Sequence, residues 1–285
     1  MIYDPRIIGR ILLLSLTIVW ATSFPFTKIA VGAVGYAYYV ALRLIIASIP
    51  TLLYGILKLD SKTIRRCLKP GITLSTLFLL GIALQGLGMS YTSASNAAFI
   101  TSLSIVFVYM IELHYGRSLL NLKLVSAICL AITGVYLLSS TDTLVFNPGD
   151  IIVLVAALVW ALQIVYVGVS SRRYDPSTLL FLEITLSSIS STILIPLQPI
   201  PDIRSIIESL PYIAYLALVC TILANTLQIY GQRIVESVEA SIIYMMEPVF
   251  AAILSHILIG EYPTIKQVLG SIAIIASLTL TIRKS

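Results

Sequence analysis

From Ile7 to Val31 the sequence is almost wholly apolar, and runs of similar length follow one another along the chain. A helical run of roughly 20 apolar residues matches the hydrocarbon core of a bilayer, about 30 Å thick. No water-soluble domain could bury so many such runs at once. The expected fold class is therefore an all-α polytopic membrane protein. Ten transmembrane helices are predicted, at residues 7–31, 36–57, 71–91, 95–113, 122–139, 151–171, 177–196, 211–231, 239–258 and 266–282. Turn residues punctuate the gaps at Gly32 to Gly35, Asn147 to Gly149 and Pro199 to Asp202. With 58% hydrophobic and 11% charged residues and a mean hydropathy of +1.00, nothing is left over for an extramembrane domain.

The net charge of +5 raises the question of nucleic acid, but the basic residues sit in short loops between apolar runs and not along one helix face. No nucleic-acid partner is expected; the lipid bilayer is the partner this placement implies. Of the 18 lysines and arginines, fourteen fall on one side of the predicted helices. Lys28, Arg204 and Lys266 fall on the other, and Arg43 is left within the membrane. By the positive-inside rule the N- and C-termini are cytoplasmic, in a plasma or inner cell membrane. Arg6 and Arg10 before the first run resemble the start of a secretory leader. That run is long, lacks an A-x-A site and ends in the polar stretch Trp20 to Lys28, so it is read as the first span. Cys67, Cys129 and Cys220 are far apart and in no metal-ligand spacing, which makes them inert packing residues. No metal and no cofactor is expected.

The stretch Trp20-Ala21-Thr22-Ser23-Phe24-Pro25-Phe26-Thr27-Lys28 places polar groups and a proline inside a span, and Trp160-Ala161-Leu162-Gln163 closes a similar run later. Trp20 pairs with Trp160 and Arg43 with Glu183 at an offset of 140, Gln85 with Gln228 at 143, and Gly116 with Gly260 at 144. Two five-helix repeats follow, residues 1–140 and 141–285. Because five is odd, they have inverted topology, the arrangement of secondary transporters whose site lies near the midplane at the repeat interface.

At this point the residues resemble a known family. Trp20 to Phe24 with Lys28, Tyr91-Thr92-Ser93-Ala94-Ser95, Gly149-Asp150, Trp160-Ala161, Glu239-Ala240-Ser241, and Glu247-Pro248 followed by Gly260-Glu261 come in an order similar to the EamA-type members of the drug/metabolite transporter superfamily. The resemblance covers nearly the whole chain. It implies ten helices around a central cavity lined mainly by spans 1, 3, 4, 6, 8 and 9, and the movement of small metabolites by alternating access. The first repeat departs from the family pattern: Ile105 stands where proline is usual, and Arg117 follows Gly116 where glutamate is usual. Pro248 and Glu261 keep both features in the second repeat. Whether span 4 bends like span 9 is left open.

A charge at mid-membrane costs about 2.5–3.5 kcal/mol and calls for a partner, a watery cavity or neutralisation. Arg43, Glu183 and Glu247 are the intramembrane charge and coupling candidates. Arg43 and Glu183 each lie roughly 10 Å deep from opposite faces, which argues against a direct salt bridge. Either could equally be a packing residue satisfied by its neighbours. Glu247 precedes Pro248, whose missing N–H frees the carbonyl of Tyr244, as Pro25 frees that of Ala21. An ordinary proline kink is the alternative. The substrate-cavity candidates are Trp20, Ser23, Gln85, Trp160, Gln163, Asn225, Gln228, Tyr244 and Glu247. Amides in lipid also serve simply to join helices, and tryptophans more often pack than gate. Glu112 and His114 are expected in solvent near the inner mouth, and His256 near the outer one. Small residues at Ala127, Ala131 and Gly134 and at Gly270, Ala273 and Ser277 mark close contacts of spans 5 and 10, within one chain or between two in a homodimer.

The function these features imply is a secondary transporter, an exporter of a small organic metabolite through a central cavity. A membrane-embedded enzyme is the rival class, but neither G-x-S-x-G nor H-E-x-x-H occurs, and His114 and His256 fall at opposite faces. A channel is the second rival; the repeat and the single-copy polar groups favour a carrier.

Overall fold

The structure, a computed structural model, describes residues 4–138, 147–259 and 264–282. The predicted boundary between the repeats, with Gly260, Glu261, Arg283 and Lys284 and the side chain of His256, lies outside what is described. Among the described residues the chain is helical with no strand. The helices of the first half are α1 (Pro5–Ala21), α2 (Ser23–Lys58), α3 (Ser61–Tyr91), α4 (Ala94–Ser102), α5 (Ser104–His114) and α6 (Leu122–Leu138). Those of the second are α7 (Pro148–Ser170), α8 (Pro176–Ser191), α9 (Ile203–Ala217), α10 (Ala224–Gln232), α11 (Ser237–Tyr244), α12 (Glu247–Ile259) and α13 (Ile265–Ile282). Among the described residues, six helical stretches are long and apolar enough to cross a membrane, with two shorter apolar helices at 122–137 and 265–280.

Helix starts follow their caps. Asp4, Asp60, Asp175 and Asp202 each accept from a backbone N–H of the turn they open, and Asn147 with Asp150 forms a full capping box. The hydroxyl and the N–H of Thr63 on Asp60 hold its carboxyl below the usual carboxylate range. This cap corrects the expected start of span 3. The basic stretch 61–70, read as a loop because its apolar periodicity is weak, is the first part of α3. In the same way Asp202 starts α9 ahead of the predicted residue 211.

One glycine decides the path of the first half. Gly35 has φ 75 and ψ 162 inside α2, in a region open to glycine and costly for other residues. In an unbroken helix Thr27 and Tyr39 would sit about 18 Å apart along the axis, yet their hydroxyls are 3.1 Å apart. The chain therefore turns back at Gly35, and α2 supplies the end of predicted span 1 and all of span 2. The side chain of Gln198 accepts from the N–H of Ala37 at 2.8 Å and caps the returning segment.

The two halves pack into each other: α1 lies on α10, α3 on α7 and α8, and α2 on α8 and α9. α6 and α13 lie on each other, so closely that a Cβ on Gly134 would meet the carbonyl oxygen of Gly270 at 2.7 Å. Their small-residue faces thus supply a contact within the chain.

A Cβ at Gly35 would come within 2.6 Å of the Gln198 side chain. Gly35→Ala should lower stability in detergent by about 1–2 kcal/mol through the positive φ and this clash. Gly32→Ala, where a Cβ meets nothing within 4 Å, should be neutral. Equal melting temperatures for the two variants would show that the turn does not need glycine.

Candidate functional site

Three helices are interrupted at sites facing one space. At Thr22 the chain passes from α1 to α2, and the N–H and hydroxyl of Thr22 both bond the carbonyl of Val19. At Leu103 it passes from α4 to α5, the N–H bonding back three residues to Ile100. At Met245 and Met246 it passes from α11 to α12, with N–H bonds to Ile242 and Ile243. Pro25 and Pro248 explain the first and third breaks, since neither can donate to the carbonyl four residues earlier. The second has no proline: span 4 breaks despite Ile105, at the position that matches the break of span 9.

Between these breaks lies a cavity with about 890 Å³ of atom-free space, counting its mouth. Trp20, Ser23, Arg43, Gln85, Trp160, Gln163, Asn225, Tyr244 and Glu247 all line it. Gln228 and Glu183 lie one layer behind, bonded to lining residues. Its aromatic walls are two edge-to-face pairs, Trp20 with Tyr244 at 5.2 Å and Phe78 with Trp160 at 5.7 Å between ring centroids. Each pair joins one half of the chain to the other. Cys220, expected to be inert packing, also lines the cavity, while Cys129 is exposed.

Arg43 forms no ion pair with Glu183 or Glu247. Its Nε donates to Thr221 Oγ1 at 2.8 Å, Nη1 to the Tyr39 hydroxyl, and Nη2 to the carbonyl of Cys220 at 3.1 Å. That carbonyl is available because residues Leu218–Leu223 form a π-helical turn. The wider turn removes carbonyls from the regular ladder, and Thr221 bonds back five residues to Leu216. Glu183 is fully buried and accepts from Gln163 Nε2 at 3.1 Å and from Asn225 Nδ2 at 3.4 Å. Gln163 and Gln228 exchange two amide bonds, at 3.2 and 3.0 Å. Glu247 Oε1 is buried without a hydrogen-bond partner.

The halves are tied at both ends of the bundle. At one end the Nζ of Lys28 donates to the carbonyls of Met89 and Thr92, which close α3, and Thr92 Oγ1 donates to Asp150 at the start of α7. At the other, Arg10 and Glu239 form an ion pair at 2.6 Å. Between this pair and the cavity Leu13, Leu16, Val108, Ala161, Ile164 and Ile243 pack as one apolar cluster. Beside the pair lies a second, charged cavity lined by Glu112, Arg117, Lys123 and Arg172 among others. His114 is exposed as expected, but Glu112 is buried, because it faces this cavity and not the protein surface. The sequence reading missed the π-helical turn and Thr221, for which no local signal exists, and the tie from Lys28 through Thr92 to Asp150, whose members stood only among the family motifs.

The EamA-like transporter family model matches residues 7–140 and 147–283. Two Archaeoglobus fulgidus proteins, each named an uncharacterized transporter, are 28% identical over 291 and 265 residues. The first alignment covers 96% of this chain and 97% of that protein, the second 92% and 82%. The Bacillus subtilis uncharacterized transporter YdfC is 24% identical over 277 residues, covering 93% of this chain and 88% of that protein. A protein of known crystal structure superposes with a TM-score of 0.79 over 96% of both chains at 13% identity, a likeness of fold. The chain belongs to the EamA-like transporter family and is a multi-pass membrane protein.

A lysine at position 43 keeps the charge but cannot reach Tyr39, Thr221 and the Cys220 carbonyl together. Arg43→Lys should lower stability by about 2–4 kcal/mol, read as thermal unfolding in detergent. An unchanged melting curve would show that the guanidinium fork does not hold the π-helical turn to α2.

Proposed function

We propose that this member of the EamA-like transporter family is a secondary transporter that exports a small organic metabolite by alternating access through the cavity between its halves. The observation that carries the reading is the cavity itself. Both halves line it, three interrupted helices face it, and apolar packing separates it from one end of the bundle. A site reached in turn from two sides needs its walls drawn from two bodies that can rock against each other.

The two bodies are inverted five-helix repeats, residues 1–140 and 141–285, making ten transmembrane helices. Separate family matches to each half support this, as do the matched breaks in spans 4 and 9. The charge asymmetry supports cytoplasmic termini in the plasma or inner membrane, with the Arg10–Glu239 end inside. A homodimer through spans 5 and 10 would use the faces of α6 and α13 turned away from their mutual contact. Trp20, Ser23, Gln85, Trp160, Gln163, Asn225, Gln228, Tyr244 and Glu247 form the substrate site, with Gln228 acting through Gln163. Arg43 is structural.

Inverted repeats place corresponding loops on opposite sides. Single cysteines at the exposed positions Lys62 and Arg204, introduced into a Cys-free variant, should react with an impermeant thiol reagent from opposite faces. Labelling of both from outside would sink the topology.

Glu247 is the coupling group: a carboxyl with an unpartnered buried oxygen, on a broken helix at the cavity, can carry a proton as the cavity changes sides. Glu247→Gln mimics the neutral acid. In proteoliposomes it should abolish the pH dependence and the response to a proton gradient while leaving substrate exchange in place. Wild-type pH dependence in this variant would leave Glu247 as no more than a residue of the bent helix.

A further inference from the structure

Glu183 lies outside the cavity, yet both amides it holds belong to the cavity wall. It is fully buried, bonded to no cation, and each of its oxygens accepts one amide N–H, from Gln163 and from Asn225. An ionised carboxylate accepts and cannot donate, so in that form Glu183 admits one orientation of each amide. The second N–H of Gln163 goes to Gln228 Oε1, and Gln163 Oε1 accepts from Gln228 Nε2, which satisfies that amide completely. Asn225 differs. With Nδ2 turned on Glu183, its carbonyl oxygen is the end left for the cavity. Among the other polar groups of the wall, Gln85 and Glu247 also bring acceptor oxygens, that of Glu247 without a partner. Arg43 has N–H bonds engaged with Tyr39, Thr221 and the Cys220 carbonyl, whereas Ser23 and Ser241 carry hydroxyls that can donate or accept.

We propose that Glu183 is a positioning residue that fixes the direction of the Gln163 and Asn225 amides, so that the cavity presents carbonyl oxygen at Asn225 and selects ligands carrying an N–H or O–H donor over ligands that only accept. The proposal rests on the reading of the cavity as the substrate site and adds its polarity. A site built to receive a donor rejects the analogue that lacks it, because its own acceptor is then left unpaired. Glutamine at position 183 would remove the constraint. It offers one acceptor and one donor, so one of the two amides can turn round.

The test is equilibrium binding to the full chain in lipid nanodiscs, with 2-phenylacetamide and its N,N-dimethyl derivative as probes. Both are neutral, so Arg43 and Glu247 do not separate them by charge, and methylation removes the N–H donors while leaving the carbonyl. Their ring suits the walls of Trp20, Phe78 and Trp160. The protein has two tryptophans, Trp20 and Trp160, and both line the cavity, so intrinsic fluorescence reports occupancy of this site. The wild type should bind the primary amide at least about tenfold more tightly, and Glu183→Gln should lower that ratio several-fold with the melting temperature within a few degrees of wild type. Asn225→Ser, which keeps a small polar group but loses the oriented carbonyl, should do the same with Glu183 intact, and decides the matter if the first variant does not fold. A wild type that binds neither probe, or both equally, overturns the donor selectivity. An undiminished ratio in either folded variant overturns the positioning role while the transporter reading, which rests on flux, stands.

Discussion

A backbone N–H or C=O facing hydrocarbon has no water to bond, and leaving one unmet costs several kcal/mol. That constraint governs where this chain can depart from the α-helix. The departures at Thr22, Leu103 and Met245 surround one cavity, and each is closed by bonds that reach back three residues. The π-helical turn at Leu218–Leu223 exposes a carbonyl and a hydroxyl, and the Arg43 guanidinium takes both. Gly35 reverses the chain, and Gln198 satisfies the first donor of the returning segment. Among the described residues, departures from the α-helix within the spans thus fall at the cavity, at a buried arginine, at a capped turn and at the 3₁₀ stretch Thr192–Leu197 that ends span 7.

The same reasoning explains how three charges are distributed without pairing. Desolvating an arginine and a carboxylate together is costly, and a direct pair recovers that cost only in a fully hydrogen-bonded geometry. Here Arg43 uses hydroxyls and a carbonyl from α2 and the π-helical turn, and Glu183 uses two amides. Both are dispersed among neutral dipoles that hold α2, α7, α8 and α10 together. Glu247 Oε1 has no such partner, and it is the carboxylate among the three that lies on the cavity wall.

Much of this was legible in the sequence, and the reasons differ by element. Apolar runs mark helices in lipid because both length and composition are set by the bilayer, so each predicted span meets helix in the structure. Boundaries were misread where a helix leaves the apolar layer. The charged turns after Asp60 and the turns after Asp202 carry capping signals, and charged residues interrupt the apolar runs there. Proline announced the breaks in spans 1 and 9, but the break at Leu103 has no proline and is imposed by packing. The amides Gln85, Gln163, Asn225 and Gln228 stand out because polar groups are rare in such runs. That Gln228 would be turned on Gln163, and that Glu183 would accept from Gln163 and Asn225 from behind, depends on rotation about helix axes, which spacing alone does not determine. The opposed depths of Arg43 and Glu183 did predict that they would not pair.

The contacts between the halves are of two kinds. Interior contacts are apolar and close, as in the cluster of Leu13, Leu16, Val108 and Ile164, and such packing holds a shape without strong direction. The end ties are directional: Thr92 on Asp150 and Arg10 on Glu239. A partly exposed ion pair contributes on the order of 1 kcal/mol, and a neutral hydrogen bond about the same. Such ties are weak enough to break and reform without disturbing the helices that carry them. For the exchange of states proposed here, that is the required division of labour. Apolar packing across the halves builds the cavity walls, while polar contacts join the halves at its two ends.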